Sequence, residues 1–190
     1  MIVIMSPSPV ELLSKLKGAD QKVATGEAVF RAGDPVRSLF LVKAGTLRLV
    51  RTLPHGLQLT LQRAGAGAIL AEASLFADRY HCDAAASEHS ILRVIALREV
   101  KAALREDSAL ALALARDLSV EVQRVRTHAE ILSLKTVAER VDAWTAVNGD
   151  TLPPKGRWRQ VASDIGVTPE ALYRELALRR SRGRRHILER

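Results

Sequence analysis

The stretch RWRQVASDIGVTPEALYREL, residues 157–176, predicts two short helices joined by a glycine turn. A first helix runs through Val161, Ala162 and Ile165, and Gly166 stands where the turn demands positive φ or a close approach of helices. Thr168 is positioned to cap the second helix, Pro169 suits its first position, and Glu170 suits its positively polarised start. Leu172 and Leu176, four apart, share one face, while Glu170, Tyr173 and Arg174 leave from another. Small Ala162 lets the two helices cross closely. This is the pattern of a helix-turn-helix whose second helix offers side chains to DNA.

Charge agrees with that reading. The 190-residue chain carries a formal net charge of +8, the balance of a protein that meets polyanions. From Arg157 to the end there are nine arginines against four acids (Asp164, Glu170, Glu175, Glu189), a net of +5. Arg179, Arg180, Arg182, Arg184 and Arg185 are therefore expected to touch phosphates. With 47% apolar residues the chain can build a real core. Its one cysteine excludes a disulfide framework, and an iron–sulfur cluster with four thiolates, within one chain. The start MIVIMSPSPV has neither the basic region of a signal peptide nor the length of a membrane span, so a cytoplasmic protein without membrane contact is expected. There is no nucleophile elbow, P-loop or HExxH motif, and catalysis is not expected.

Upstream the texture changes twice. A short helix is predicted over residues 9–17. From Val23 to Ala96, glycines at positions 26, 33, 45, 56, 65 and 67 break the chain into short β runs, the rhythm of an antiparallel sandwich or barrel. Leu47 and Leu49, and then Leu57, Leu59 and Leu61, alternate with mostly polar neighbours. Asp34-Pro35 and Pro54-His55-Gly56 are turns. From Leu97 helix formers dominate. Ala111, Ala115, Leu118, Val122, Val125, Ala129 and Leu132 keep strict four–three spacing, a left-handed coiled-coil seam for a homodimer. Such a dimer would set two recognition helices one turn of DNA apart. Val120 and Ile131, off the seam, are expected to pack on the β domain, and a hinge is expected at residues 132–135. Residues 148–156, NGDTLPPKG, read as a loop.

Over nearly its whole length the chain resembles the Crp–Fnr superfamily of bacterial transcription regulators. The matching pieces are GEAVFRAGD at 26–34, LFLVKAGTLR at 39–48, EASLF at 72–76, the long helix and the helix-turn-helix. The resemblance implies an α+β architecture. A β jelly-roll sensor domain like that of cyclic-nucleotide-binding proteins would span residues 1–107, a dimerisation helix 108–134, and a winged helix-turn-helix domain 135–190. It also implies double-stranded DNA as partner, and RNA polymerase where the chain activates. Glu170 and Arg174 match positions that contact base edges, and Thr168 and Tyr173 flank them. Pro169 stands where an arginine often reads guanine. The chain stops eleven residues after Arg179, so the wing is expected to be truncated or reduced to the basic tail.

The effector pocket departs from the family. Members that bind cyclic AMP carry a cassette with a Gly-Glu-Leu-Gly core and a following Arg-Ser. Here the core reads Ala71-Glu72-Ala73-Ser74, and Cys82-Asp83 replaces Arg-Ser. Glu72 retains a ribose-binding carboxylate, but the phosphate-pairing arginine is gone and Asp83 repels a phosphate. Arg79 would substitute only after a rearrangement. Cyclic AMP is therefore disfavoured, since losing a charge-assisted pair to a buried phosphate costs several kcal/mol. Haem or a metal stays open as effector, and no metal ligand set is nominated. Cys82 beside His81 has two readings: a thiol of depressed pKa that senses oxidant or metal, or a packed side chain beside a surface histidine. The runner-up function is a ligand- or redox-responsive module that acts by protein contact without reading DNA.

Overall fold

The structure, a computed structural model, describes residues 7–52 and 58–188, without the side chains of Gln58, Leu59 and residues 182–188. The expected turn Pro54-His55-Gly56, and Leu57, lie outside the described residues. An N-terminal helix α1 (Pro9–Ser14) starts on a capping box between Ser8 and Glu11 and stops three residues earlier than the periodicity suggests.

The short β runs become strands β1 (Gly18–Val23), β2 (Ala28–Phe30), β3 (Ser38–Ala44), β4 (Leu47–Thr52), β5 (Gln58–Ala64), β6 (Ile69–Leu70), β7 (Asp83–Ala86) and β8 (Ser90–Ala96). They form two four-stranded antiparallel sheets, ordered β1-β8-β3-β6 and β2-β7-β4-β5. Neighbours in each sheet are mostly distant in sequence, as a jelly roll requires. Leu39, Leu41, Leu47, Leu49, Ala84, Leu92 and Ile95 are buried in this part of the chain. One detail departs from simple alternation. Leu49 faces Gln62 and Val50 faces Thr60, which leaves Leu61 unopposed in a bulge and 44% exposed. The bulge shifts the pleat at this point, so Leu61 does not keep the inward place that simple alternation gives it.

The helices follow: α2 (Leu97–Glu106), α3 (Ser108–Ser133), α4 (Val137–Val147), α5 (Trp158–Asp164) and α6 (Pro169–Leu188). Asp107 separates α2 from α3 and caps the latter, its carboxylate accepting from the amides of Ala109 and Leu110. None of the described helices is long and apolar enough to cross a membrane.

Two compact units result, Met1–Asp117 and Leu118–Arg190, with the division inside α3. Leu110 and Leu114 are buried in the first. Ile131 belongs to the core of the second, with Val141, Val161, Ala162, Ile165, Leu172 and Leu176, and not to the β domain as its position off the seam suggested. Val120 is likewise not packed there; it is 63% exposed. The end of α3 is thus a core element of the C-terminal unit.

Candidate nucleic-acid interface and sensor loop

The helix pair read from residues 157–176 forms through a specific stop signal. Gly166, at φ +64°, donates its amide to Ser163, and Val167 donates to Ala162. These two bonds define a Schellman ending for α5, which satisfies carbonyls the helix itself leaves open. A side chain at Gly166 would meet a methyl of Leu132 at 2.6 Å, so the position requires glycine for space as well as for φ. The hydroxyl of Thr168 accepts from the amide of Ala171, and Pro169 opens α6.

Burial sorts the faces of α6. Leu172 and Leu176 are buried, whereas Glu170 and Arg174 are exposed one turn apart on the other side. Tyr173 is half-buried because its ring packs on Trp158, centroids 5.7 Å apart. Trp158 in turn donates its indole N–H to Pro153 and lies under the guanidinium of Arg180 at 5.8 Å. Exposed Lys155, Arg157 and Arg159 surround the start of α5.

Arg179 is a correction. It was expected on phosphate, but its guanidinium is spent inside the unit: it pairs with Glu175 and Asp142 and donates to the carbonyl of Ala138. Both carboxylates hold its pKa up. The physical reason is spacing, since Glu175 lies one turn back on α6 while Asp142 and Ala138 face it from α4. Among the described residues no strand follows Arg179, and the basic tail expected in place of a wing is helical. Residues through Leu188 continue α6, because arginines are good helix formers and only Gly183 opposes them, by about 1 kcal/mol. The side chains of Arg182, Arg184 and Arg185 lie outside those described.

In α3 the predicted seam is visible as apolar surface. Val122 and Val125 are 47% and 54% exposed, Leu132 and Ala129 are also exposed, and Ala111 and Leu118 are half-buried. Ala115 is exposed too. Leu132 does double duty, since it also packs on Gly166.

The sensor loop follows β6. Ala71 adopts φ +72°, a left-handed conformation that costs a non-glycine residue about 1 kcal/mol or more, and residues 72–74 make one tight helical turn. Glu72 is half-buried, Ala73 exposed and Ser74 buried, its hydroxyl 3.3 Å from Nδ1 of exposed His81. The residues that replace the cassette's end face the segment between β2 and β3. Arg79 donates to the carbonyl of Gly33, and the carboxylate of Asp83 accepts from the amide of Ala32. Backbone bonds from Gly33 to Tyr80, Tyr80 to Asp34 and Val36 to Asp78 add to this. Tyr80 stacks on Phe30 at 3.9 Å and donates its hydroxyl to Ser38; burial raises its pKa. Arg79 is therefore committed to fastening the loop. Among the described residues no three His, Cys, Asp or Glu side chains gather as a metal site.

Cys82 is buried, and burial pushes its thiol pKa up, with Asp83 and Glu72 adding to the shift against the opposing pull of Arg51. Of the two readings of Cys82, burial favours the packed side chain over the activated thiol, because it outweighs the nearby cation. The expected result is slow labelling of native protein by a thiol reagent at neutral pH, faster as pH rises, and complete only after denaturation. Native labelling as fast as that of a free cysteine would contradict this.

Three groups escaped the sequence reading: Trp158, Asp142 and Arg140. The last carried a usable signal. It is a cation just past the first turn of α4, close to the end where a helix disfavours positive charge, so it calls for a specific acceptor.

Residues 20–107 match the cyclic nucleotide-binding domain family. The catabolite activator protein of Thermus thermophilus is 26% identical over 95% of this chain and 86% of its own, with a TM-score of 0.57. FixK2 from Bradyrhizobium japonicum superposes at a TM-score of 0.63, with 19% identity over 88% of this chain and 87% of its own. The c-di-GMP responsive global regulator CLP of Xanthomonas campestris gives 0.62, with 21% identity and 92% coverage of both chains. No curated protein sequence matches. Residues 20–107 are thus similar to the cyclic nucleotide-binding domain family, and the chain as a whole shares its fold with solved transcription regulators of the Crp–Fnr type.

Proposed function

We propose that this protein is a homodimeric, sequence-specific DNA-binding transcription regulator whose β domain receives a signal other than cyclic AMP. The observation that carries the reading is α6. It buries Leu172 and Leu176, presents Glu170 and Arg174 to solvent from its N-terminal turns, and runs on into an arginine-rich tail. A recognition helix in the major groove needs that division of labour: base reading at its start, phosphate contact around it. Lys155, Arg157, Arg159 and Arg180 are exposed and join Arg182, Arg184 and Arg185 as the phosphate set, with Arg179 removed from it. The apolar seam of α3 supports the dimer, in which a second copy would cover Val122 and Val125. As an activator the dimer would also contact RNA polymerase.

The function is tested by retention of the protein on a random-sequence duplex across a salt series. The predicted affinity falls steeply and linearly in log–log form, with a slope near −0.9 for each phosphate neutralised, roughly several units in all. A protein that ignores duplex at low salt would instead act by protein contact.

For the pocket, the missing arginine and the commitment of Arg79 and Asp83 to residues 32 and 33 weigh against a cyclic phosphate. Millimolar cyclic AMP is expected to move the thermal midpoint by less than about a degree, because a ligand at a hundred times its Kd must add about 2.7 kcal/mol. A shift of several degrees that disappears in Glu72→Ala would overturn the exclusion.

A further inference from the structure

We infer that Arg140 is a positioning residue that welds the end of α3 to the α5–α6 turn, and thereby fixes the direction in which α6 is presented. The inference rests on the reading of α6 as the DNA-facing helix. The side chain reaches out of α4 and donates four hydrogen bonds, all to backbone carbonyls. Nε bonds Leu134 at 2.9 Å and Nη2 bonds Leu132 at 3.0 Å, both at the C-terminal end of α3. Nη1 bonds Ile165 at 3.1 Å and Gly166 at 3.3 Å, at the C-terminal end of α5. One cation thus sits where two helices bring their negative ends together. The acceptors have different directions, which suits the planar fork of a guanidinium and not the point charge of an ammonium.

Packing repeats the connection independently. Leu132 lies so close to Gly166 that a Cβ there would be 2.6 Å from its methyl, and Nη1 of Arg140 would be 3.5 Å from the same atom. Glycine at the turn therefore serves the approach of α3 as well as the ending of α5. Residues 134–136 carry no helix, yet the interruption they make between α3 and α4 is bridged by one side chain. On this inference the hinge expected at residues 132–135 acts as a fixed joint. The dimerisation half of α3 and the recognition helix then move as one body.

The test uses the full chain in a Cys82→Ser background, with nitroxide labels on His128→Cys in α3 and Leu178→Cys in α6, both exposed positions. Labelled protein is mixed with excess unlabelled protein so that measured pairs lie within one chain. Without Arg140 replaced, the distance distribution is expected to be single and narrow. Arg140→Lys, which keeps the charge and the fold, is expected to widen it about twofold, since three of the four bonds lose their geometry. The same variant should lose about tenfold in its discrimination between selected duplexes whose half-sites differ by two base pairs in separation. An unchanged width in Arg140→Lys, at unchanged circular dichroism, would overturn the weld. A narrow distribution in a protein that ignores all duplexes would count against the DNA reading alone and leave the weld supported.

Discussion

The variant Leu118→Glu is expected to sediment as a monomer and to lose at least about a hundredfold in affinity for its selected duplex, because two linked readers gain about 10²–10⁴ in avidity over one. Leu118 lies mid-seam on α3 and is half-buried in the single chain, with exposed Val122 one turn along. A second copy would bring two such leucines together, and two glutamates there would bury like charges without partners. The monomer should keep its far-ultraviolet circular dichroism, since α3 is held by Leu110 and Leu114 in one unit and by Ile131 in the other. A folded monomer that still binds tightly would remove dimerisation from the account.

Arg174→Ala is expected to flatten the preference at one base pair in each half-site. A bidentate arginine–guanine contact carries about 1–3 kcal/mol of discrimination, so the loss is roughly five- to hundredfold per half-site. Arg174 is suited to this because, among the described residues, no partner claims its guanidinium in the way Asp142, Glu175 and Ala138 claim that of Arg179. Replacing exposed Arg180 is the contrast, expected to weaken all duplexes about equally and to lower the salt slope by about one unit. Equal losses on selected and random duplex in Arg174→Ala would show that α6 is not the reader.

Local signals carried much of this structure. The glycine stop at 166, the Thr168 cap and the leucine pair of α6 each obey rules confined to a few neighbouring residues, and the helix pair forms as those rules require. The β rhythm announced short antiparallel strands for the same reason. What local pattern could not carry was pairing between distant positions. The bulge that ejects Leu61 is set by β4, ten or more residues away along the chain. Arg179 reads as one more arginine in a basic tail until α4 brings Asp142 and Ala138 beside it. Ile131 has the spacing of a helix face, and spacing does not say which unit that face meets. In the sensor loop, the substitution of Arg-Ser by Cys82-Asp83 was plain, but the attachment of Asp83 to Ala32 spans 51 residues and left no trace in sequence.

The central claim, a dimer reading two half-sites through α6, is tested most directly by selecting bound sequences from a random duplex pool with the purified full chain. The account predicts a two-fold symmetric motif whose half-sites are centred about 10–10.5 base pairs apart, or a multiple of that spacing. A pool that shows no enrichment, or that enriches one unrepeated site, would contradict it.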